Sequence, residues 1–347
     1  MRRPPTWLAN WIKTWIAPWS TLAFLASGCG DASRDWFADR SADVGTGAMD
    51  GEVALLDFDA DGRLDVFCAG AGDGGGAMLR NLGGWRFEPV ATGVTHRAWT
   101  ACLAFDYDGD ADDDLLVLGS GFGLFRNEGG TEFTDATIEC GLHQEAAGEA
   151  AVAIDFDRDA DLDLVVVRNE VRITYRNDGD GTFTRLDGAR SSISVPGPIG
   201  ADFDHDGEVD HFADITREGR AVACGDLDDD GDLDLVESRP GRGLVFLENV
   251  AEKKGRWLGL RLYDQRGCWA IGAEVELVTD ADTMHRRCLG KGFSGPACDP
   301  RVHFGLGSTG DVEEIRVRWA DGTQEVFAKG VRGVYKNLHA GLGELQD

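Results

Sequence analysis

The chain has 347 residues, 62 of them acidic against 34 basic, for a formal net charge of −28, and 42% are hydrophobic. That length can hold two domains with separate cores, and the apolar content excludes a disordered acidic chain. The charge excludes nucleic-acid phosphate as a partner.

Residues 1–28 read as an export signal. Arg2, Arg3 and Lys13 give a basic start, and Trp15 to Gly28 is uncharged and mostly apolar. A membrane-spanning helix needs about 20 apolar residues, which this run does not reach. Leu25-Ala26-Ser27-Gly28-Cys29 resembles a bacterial lipobox, in which Cys29 is lipidated and becomes the new N-terminus. An ordinary signal cleaved before Cys29 is the alternative. The expected location is the outer membrane or cell surface, held by the lipid anchor alone, or else secreted or periplasmic. Residues 29–36 then form a linker.

Residues 37–250 repeat. A unit opens on a phenylalanine, as in Phe133-Thr134-Asp135-Ala136-Thr137 and Phe212-Ala213-Asp214-Ile215-Thr216, with Phe37, Phe87 and Phe183 at equivalent points. An apolar run leads into an acidic loop, a second run leads out, and a segment ending in Arg80-Asn81, Arg126-Asn127 or Arg176-Asn177 precedes a glycine turn. The apolar runs are short, rich in β-branched residues and bounded by Gly and Asp, so they read as strands. Units of three or four strands that cannot bury their own faces stack as propeller blades.

The acidic loop is nine residues long, with acids at positions 1, 3, 5 and 9. The five copies are Asp57, Asp59, Asp61 and Asp65; Asp106, Asp108, Asp110 and Asp114; Asp155, Asp157, Asp159 and Asp163; Asp202, Asp204, Asp206 and Asp210; and Asp226, Asp228, Asp230 and Asp234. Four carboxylates in nine residues repel one another and call for a cation. Ca²⁺ suits them, because it accepts six to eight oxygens in loose geometry. Position 7 offers a carbonyl, the Asp at position 9 closes the cage, and the large apolar residue at position 2 (Phe58, Tyr107, Phe156, Phe203, Leu227) can enter the core. Position 6 is Gly62, Gly207 or Gly231 in three loops but Ala111 and Ala160 in the others, which predicts strain of about 1 kcal/mol if a left-handed bend is required there. An EF-hand is excluded. Only Glu237 supplies an acid at position 12, against Cys68, Val117, Val166 and Ala213, and the flanks are strand-like. First acids at 57, 106, 155, 202 and 226 give steps of 49, 49, 47 and 24, so loop four or five should sit in an incomplete blade.

Beyond the hinge Ala251-Glu252-Lys253-Lys254-Gly255 the acidic loops stop. Trp257 to Leu262, Ala273 to Val278 and Glu314 to Trp319 alternate as half-buried antiparallel strands, so residues 251–347 read as a small β-domain. Apart from Cys29 there are seven cysteines and no CxxC pair. Cys288 and Cys298 are the nearest candidates for a bridge, with small buried thiols as the other reading.

The repeats resemble the FG-GAP/VCBS repeats of integrin α-like propellers. The C-terminal segment resembles the ASPIC/UnbV domain through Trp257-Leu258, Ile271-Gly272-Ala273, His303-Phe304-Gly305-Leu306-Gly307 and Val317-Arg318-Trp319-Ala320-Asp321-Gly322. Ala320 stands where that family usually has proline, and Gly267-Cys268-Trp269 replaces a polar stretch. The resemblance implies an all-β protein with a β-propeller-like repeat region and a small β-sandwich-like C-terminal domain. Integrin-type propellers have seven blades; this chain has room for about five, as a small ring or an incomplete one. It also implies Ca²⁺ binding and extracellular adhesion.

No catalytic set emerges. The three Gly-x-Gly-x-x-Gly matches fall in a chain of 48 glycines, and none opens a helix. His303 reads as a structural hydrogen-bonder, and His205 and His211 as solvated groups or supports for a loop-four ion. A glycosidase pair of acids would not recur five times. The expected protein is a non-enzymatic, exported Ca²⁺-binding module that recognises an extracellular or envelope protein or glycan. The alternatives are a metal-dependent enzyme or enzyme subunit acting on polysaccharide or phosphoester, and a structural envelope component.

Overall fold

The acidic loops are the inner turns of antiparallel hairpins. In the computed structural model the residue before position 1 pairs across the ladder with the Asp at position 9: Leu56 with Asp65, Phe105 with Asp114, Ile154 with Asp163, Ala201 with Asp210 and Gly225 with Asp234. The structure describes residues 36–347 apart from short stretches, chiefly 71–75, 95–98, 143–147, 187–199, 212–220 and 291–296. The export signal and Cys29 lie outside the described residues.

After β1 (Phe37–Asp39) and the short helix α1 (Ser41–Val44), three four-stranded meanders follow in chain order. Blade one holds β2 (Val53–Leu56), β3 (Asp65–Ala69), β4 (Gly76–Asn81) and β5 (Phe87–Val90). Blade two holds β6 (Trp99–Phe105), β7 (Asp114–Gly119), β8 (Phe122–Asn127) and β9 (Phe133–Asp135). Blade three holds β10 (Ala150–Ile154), β11 (Asp163–Arg168), β12 (Val171–Asn177) and β13 (Phe183–Leu186). Among the described residues, loop four is flanked by β14 (Gly200–Ala201) and β15 (Asp210–His211) alone. Blade five holds β16 (Ala221–Gly225), β17 (Asp234–Arg239) and β18 (Gly243–Asn249), and its outer strand is β1 from the start of the chain.

That outer strand corrects the repeat boundaries. In each complete blade an asparagine on the third strand pairs with a phenylalanine on the fourth: Asn81 with Phe87, Asn127 with Phe133, Asn177 with Phe183 and Asn249 with Phe37. The phenylalanine that opens a sequence unit therefore closes the preceding blade. Phe37 closes blade five, so among the described residues the shortening expected between Asp202 and Asp226 falls on loop four. Trp36, from the expected linker, packs against the same core, and its carbonyl accepts a 2.7 Å bond from the Val250 N–H.

Neighbouring blades share cores. Phe58, Trp99 and Leu115 lie in one cluster between blades one and two, and Tyr107, Leu164 and Phe183 in another between blades two and three. Leu55, Leu79 and Phe246 join blade one to blade five, and Phe203 joins loop four to blade five. The spatial order is thus loop four, blade five, then blades one, two and three. Glu52 stands half-buried beside these shared cores. Burial lifts Glu52, beside β2, to about 7. A carboxylate whose folded pKa is raised costs nothing below its ordinary pKa and destabilises as pH rises through the folded value. Glu52→Gln is therefore expected to stabilise the protein by about 2–3 kcal/mol at pH 8 and to leave it unchanged near pH 4, read from urea unfolding at both.

The C-terminal residues form two sheets around one core of Leu258, Leu260, Val275, Ile315, Val317 and Trp319. One sheet has the order β23-β19-β26, from β19 (Trp257–Tyr263), β23 (Val302–Gly305) and β26 (Tyr335–His339). The other has the order β21-β20-β24-β25-β27, from β20 (Glu274–Thr279), β21 (Thr283–Arg287), β24 (Val312–Arg318), β25 (Gln324–Phe327) and β27 (Glu344–Leu345). The connecting strand β22 (Ala297–Cys298) adds to blade five, parallel to β16. Cys102, Cys140 and Cys268 are buried thiols. Cys288 is buried with Sγ 3.3 Å from the Pro300 carbonyl, and the Cys298 side chain lies outside the described residues.

Candidate metal centres

Each loop carboxylate has its own place in the turn. At position 1, one oxygen accepts the N–H of position 6, from Gly62, Ala111, Ala160, Gly207 and Gly231 at 2.9 to 3.2 Å. At position 5, an oxygen accepts the N–H of position 7 at 2.9 to 3.1 Å. At position 9, Oδ2 accepts the N–H of position 2 at 2.9 to 3.0 Å in all five loops. Its Oδ1 accepts the N–H of the blade's asparagine, at 2.6 Å from Asn81 and 2.8 Å from Asn127, Asn177 and Asn249. The Asp at position 9 is thus first a staple between hairpin and third strand.

The same asparagines link one blade to the next. Asn81 Nδ2 donates to the Leu227 carbonyl, Asn127 to Phe58, Asn177 to Tyr107 and Asn249 to Phe203, at 2.7 to 2.9 Å. Every acceptor is position 2 of the neighbouring loop. In the sequence, Arg-Asn marks the repeat. The asparagine carries the inter-blade bond, and in blade five Glu248 replaces the arginine without disturbing it.

The backbone bends as the position-6 pattern predicts. Gly62, Gly207 and Gly231 have φ of 89°, 94° and 93°, and Ala111 and Ala160 are forced to 74° and 75°. Ala111→Gly and Ala160→Gly are each expected to stabilise the protein by about 0.5–1 kcal/mol in chemical denaturation, because a left-handed alanine is strained. Position 4 is left-handed too, at Ala60, Gly109, His205 and Asp229. No single residue type marks it, so the sequence does not reveal it. At position 2, Phe58, Tyr107, Phe203 and Leu227 are buried as expected, but Phe156 is only partly so.

The carboxylates converge. Asp57, Asp59 and Asp61, then Asp202, Asp204 and Asp206, and Asp226, Asp228 and Asp230, present oxygens within 4.8 Å of one another. In loops two and three the group is Asp106, Asp108 and Asp114, and Asp155, Asp157 and Asp163. Asp110, Asp159, Asp65, Asp210 and Asp234 stand at the remaining acidic positions of these turns. At 4.8 Å two like charges repel by about 3–4 kcal/mol at an effective dielectric constant of 20. Burial, then neighbouring acids, lifts Asp108 to about 6, Asp65 and Asp163 to about 7, and Asp114 to about 9. In loops one, two and five the position-3 oxygen, Oδ1 of Asp59, Asp108 and Asp228, is buried without a hydrogen-bond partner. Unpaired buried carboxylate oxygens in an all-oxygen donor set fit a hard cation. The donor set therefore suits the metal that the repeats imply.

The C-terminal domain covers several of these loops. Tyr335 donates its hydroxyl to Asp226 Oδ2 at 2.9 Å, and His303 Nε2 donates to the Gly231 carbonyl at 2.9 Å. Burial lowers His303 to about 3, so the ring is neutral and its bonded nitrogen carries the proton. Arg301 donates to Asp299, Asp229 and the Asp226 carbonyl at 2.6, 3.0 and 2.8 Å. Arg266 bonds Asp161 and the Ala160 carbonyl of loop three. The Gly307 N–H donates to the His205 carbonyl at 2.9 Å. His205, expected in solvent, is instead 1% exposed with its ring centroid 5.0 Å from that of His303. Gly305 has no side chain because an added Cβ would lie 1.9 Å from Asp202 Oδ2. The His-Phe-Gly-Leu-Gly run is therefore a docking edge for loop four.

Comparison with known proteins agrees with this geometry. The FG-GAP-like repeat family matches residues 57–117, 106–166 and 155–213. The ASPIC and UnbV family matches residues 265–333. The fifth loop falls outside these matches and is placed by structure. Cartilage acidic protein 1 of Xenopus tropicalis is 28% identical over 255 residues, 60% of this chain and 39% of the relative. The chain thus spans about two fifths of that relative's length. A solved structure of an Agrocybe aegerita lectin, described as recognising non-reducing terminal N-acetylglucosamine, is 17% identical over 82% of this chain and 65% of the other. Its TM-score of 0.29 is too low to carry a fold argument. The chain is an all-β FG-GAP-repeat protein with a C-terminal ASPIC/UnbV domain.

Proposed function

We propose that this is an exported, non-enzymatic recognition protein whose repeats are held by Ca²⁺. The buried, unpartnered position-3 oxygens of Asp59, Asp108 and Asp228 carry this reading. Each is a buried Oδ1 with no hydrogen bond of its own, in a loop of converging carboxylates. Ca²⁺ is favoured over Mg²⁺ because it tolerates irregular, oxygen-rich cages, and affinities of about 10⁻⁴ to 10⁻³ M are expected for an extracellular module. FG-GAP repeats and the similarity to a protein named for cartilage support export, with a lipid at Cys29 as the tether.

Recognition has a natural seat. A cavity of about 390 Å³ opens between loops two and three and the C-terminal domain, lined by Tyr107, Leu162, Arg266, Trp269, Ile271 and Trp319 among others. That size lies in the range of small-molecule sites. The indole N–H of Trp319 is buried and has no acceptor. A sugar residue or a partner's side chain bearing an acceptor oxygen suits such a mixed lining. Calorimetry should show uptake of several Ca²⁺ ions, and a glycan and protein array should show Ca²⁺-dependent capture. Absence of Ca²⁺ uptake would sink the reading. Turnover of polysaccharide or phosphoester, abolished by changes in one loop alone, would favour an enzyme.

A further inference from the structure

The C-terminal domain meets the acidic loops with arginines and neutral groups that bond different positions. Two arginines go to positions whose side chains are not among the four loop acids. Arg301 reaches Asp229, at position 4 of loop five, and Arg266 reaches Asp161, at position 7 of loop three. Each also pairs with an acid of its own domain, Asp299 and Asp264. Where the domain meets the acid at position 1 of loops two and five, it brings a neutral group: the Tyr335 hydroxyl bonds Asp226 at 2.9 Å, and the Cys268 thiol lines one cavity together with Asp106. At loop four it brings Gly305 against Asp202. The charges of Arg286 and Arg301 are felt by Asp202 and Asp226 from beyond hydrogen-bond distance.

Which group bonds a position-1 carboxylate has a chemical consequence. A lysine or arginine on a position-1 carboxylate would compete with a bound cation, whereas a neutral donor orients the carboxylate and leaves its charge. Asp226 shows how. Its Oδ2 accepts from the Gly231 N–H at 2.9 Å and from Tyr335, and its Oδ1 accepts from the Asp230 N–H at 3.1 Å. A carboxylate has about four lone-pair sites, so one on Oδ1 remains. Building on the cation-binding reading above, we infer that the C-terminal domain completes the cation centres from outside, with Tyr335 at loop five and Cys268 at loop two as positioning residues, so that cation binding and domain docking strengthen each other. The coupling is reciprocal: whatever docking adds to cation affinity, the cation adds to docking.

The test uses the full chain, Ca²⁺ as the probe, calorimetry for affinity, and hydrogen exchange of residues 303–307 and 335–339 with and without Ca²⁺. In the wild type, Ca²⁺ slows exchange in both segments. Tyr335→Phe weakens one site by about 10- to 100-fold, leaves the others, and reduces the Ca²⁺-induced protection. Cys268→Ala weakens a different site, and Cys268→Ser, which keeps a donor, restores it. Wild-type protein that takes up no Ca²⁺ overturns the underlying reading and this inference with it. Ca²⁺ uptake with affinities unchanged in both variants, and exchange indifferent to Ca²⁺, overturns the inference alone. Should Tyr335→Phe not fold, wild-type exchange and the Cys268 pair decide.

Discussion

Stripping Ca²⁺ with a chelator is expected to lower the melting temperature by about 15–25 °C at neutral pH. An ion at ten times its Kd stabilises the folded chain by about 1.4 kcal/mol per site, and five such sites contribute about 7 kcal/mol. A folded domain has only about 5–15 kcal/mol in total, and each kcal/mol shifts the melting point of a chain this size by about 2–4 °C. The pH dependence should reverse at the same time. In the stripped protein Asp65, Asp163 and Asp114 have folded pKa values near 7, 7 and 9, raised by burial above the ordinary carboxylate range. Raised carboxylates favour the fold at low pH and lose that contribution as pH rises through the folded values. The stripped protein is therefore more stable at pH 5 than at pH 8, and the Ca²⁺-loaded protein more stable at pH 8. A melting temperature and circular dichroism spectrum that chelation leaves unchanged would contradict this outcome.

Arg301→Ala is expected to destabilise the protein by about 3–5 kcal/mol in urea unfolding, with the C-terminal domain the first part to loosen. The Arg301 and Asp299 side chains are each 3% exposed and 2.6 Å apart. Removing the guanidinium leaves the Asp299 carboxylate buried without its partner. It also leaves the Asp226 carbonyl unsatisfied and removes the cation stacked 4.5 Å from the Tyr335 ring. Arg301→Lys should lose most of the same energy, because an ammonium cannot bond Asp299, Asp229 and the Asp226 carbonyl in one plane. A change within about 1 kcal/mol for Arg301→Ala would mean that the C-terminal domain does not rest on loop five in solution.

Local chemistry determined much of this protein from the sequence alone. The five acidic turns, their left-handed position 6 and the flanking strands were legible because each follows from residues within nine positions of one another. The alternation from Trp257 onward announced the C-terminal sheets, because a half-buried strand imposes a period of two. The spacing of 24 between Asp202 and Asp226 announced an incomplete blade, but not which loop would bear it. Only the tertiary structure decided that, because the strand completing blade five, Phe37–Asp39, lies about two hundred residues away from it in the chain. Distance also hid the role of the asparagines, whose acceptors belong to another blade, and of His205, whose burial comes from Gly307 and His303. The outer partners of the acidic loops, Tyr335, Cys268, Arg266 and Arg301, carry no local signal at all. Each is an ordinary residue at its own place in a strand or turn, and only the docking of one domain onto the other brings it to an acidic loop.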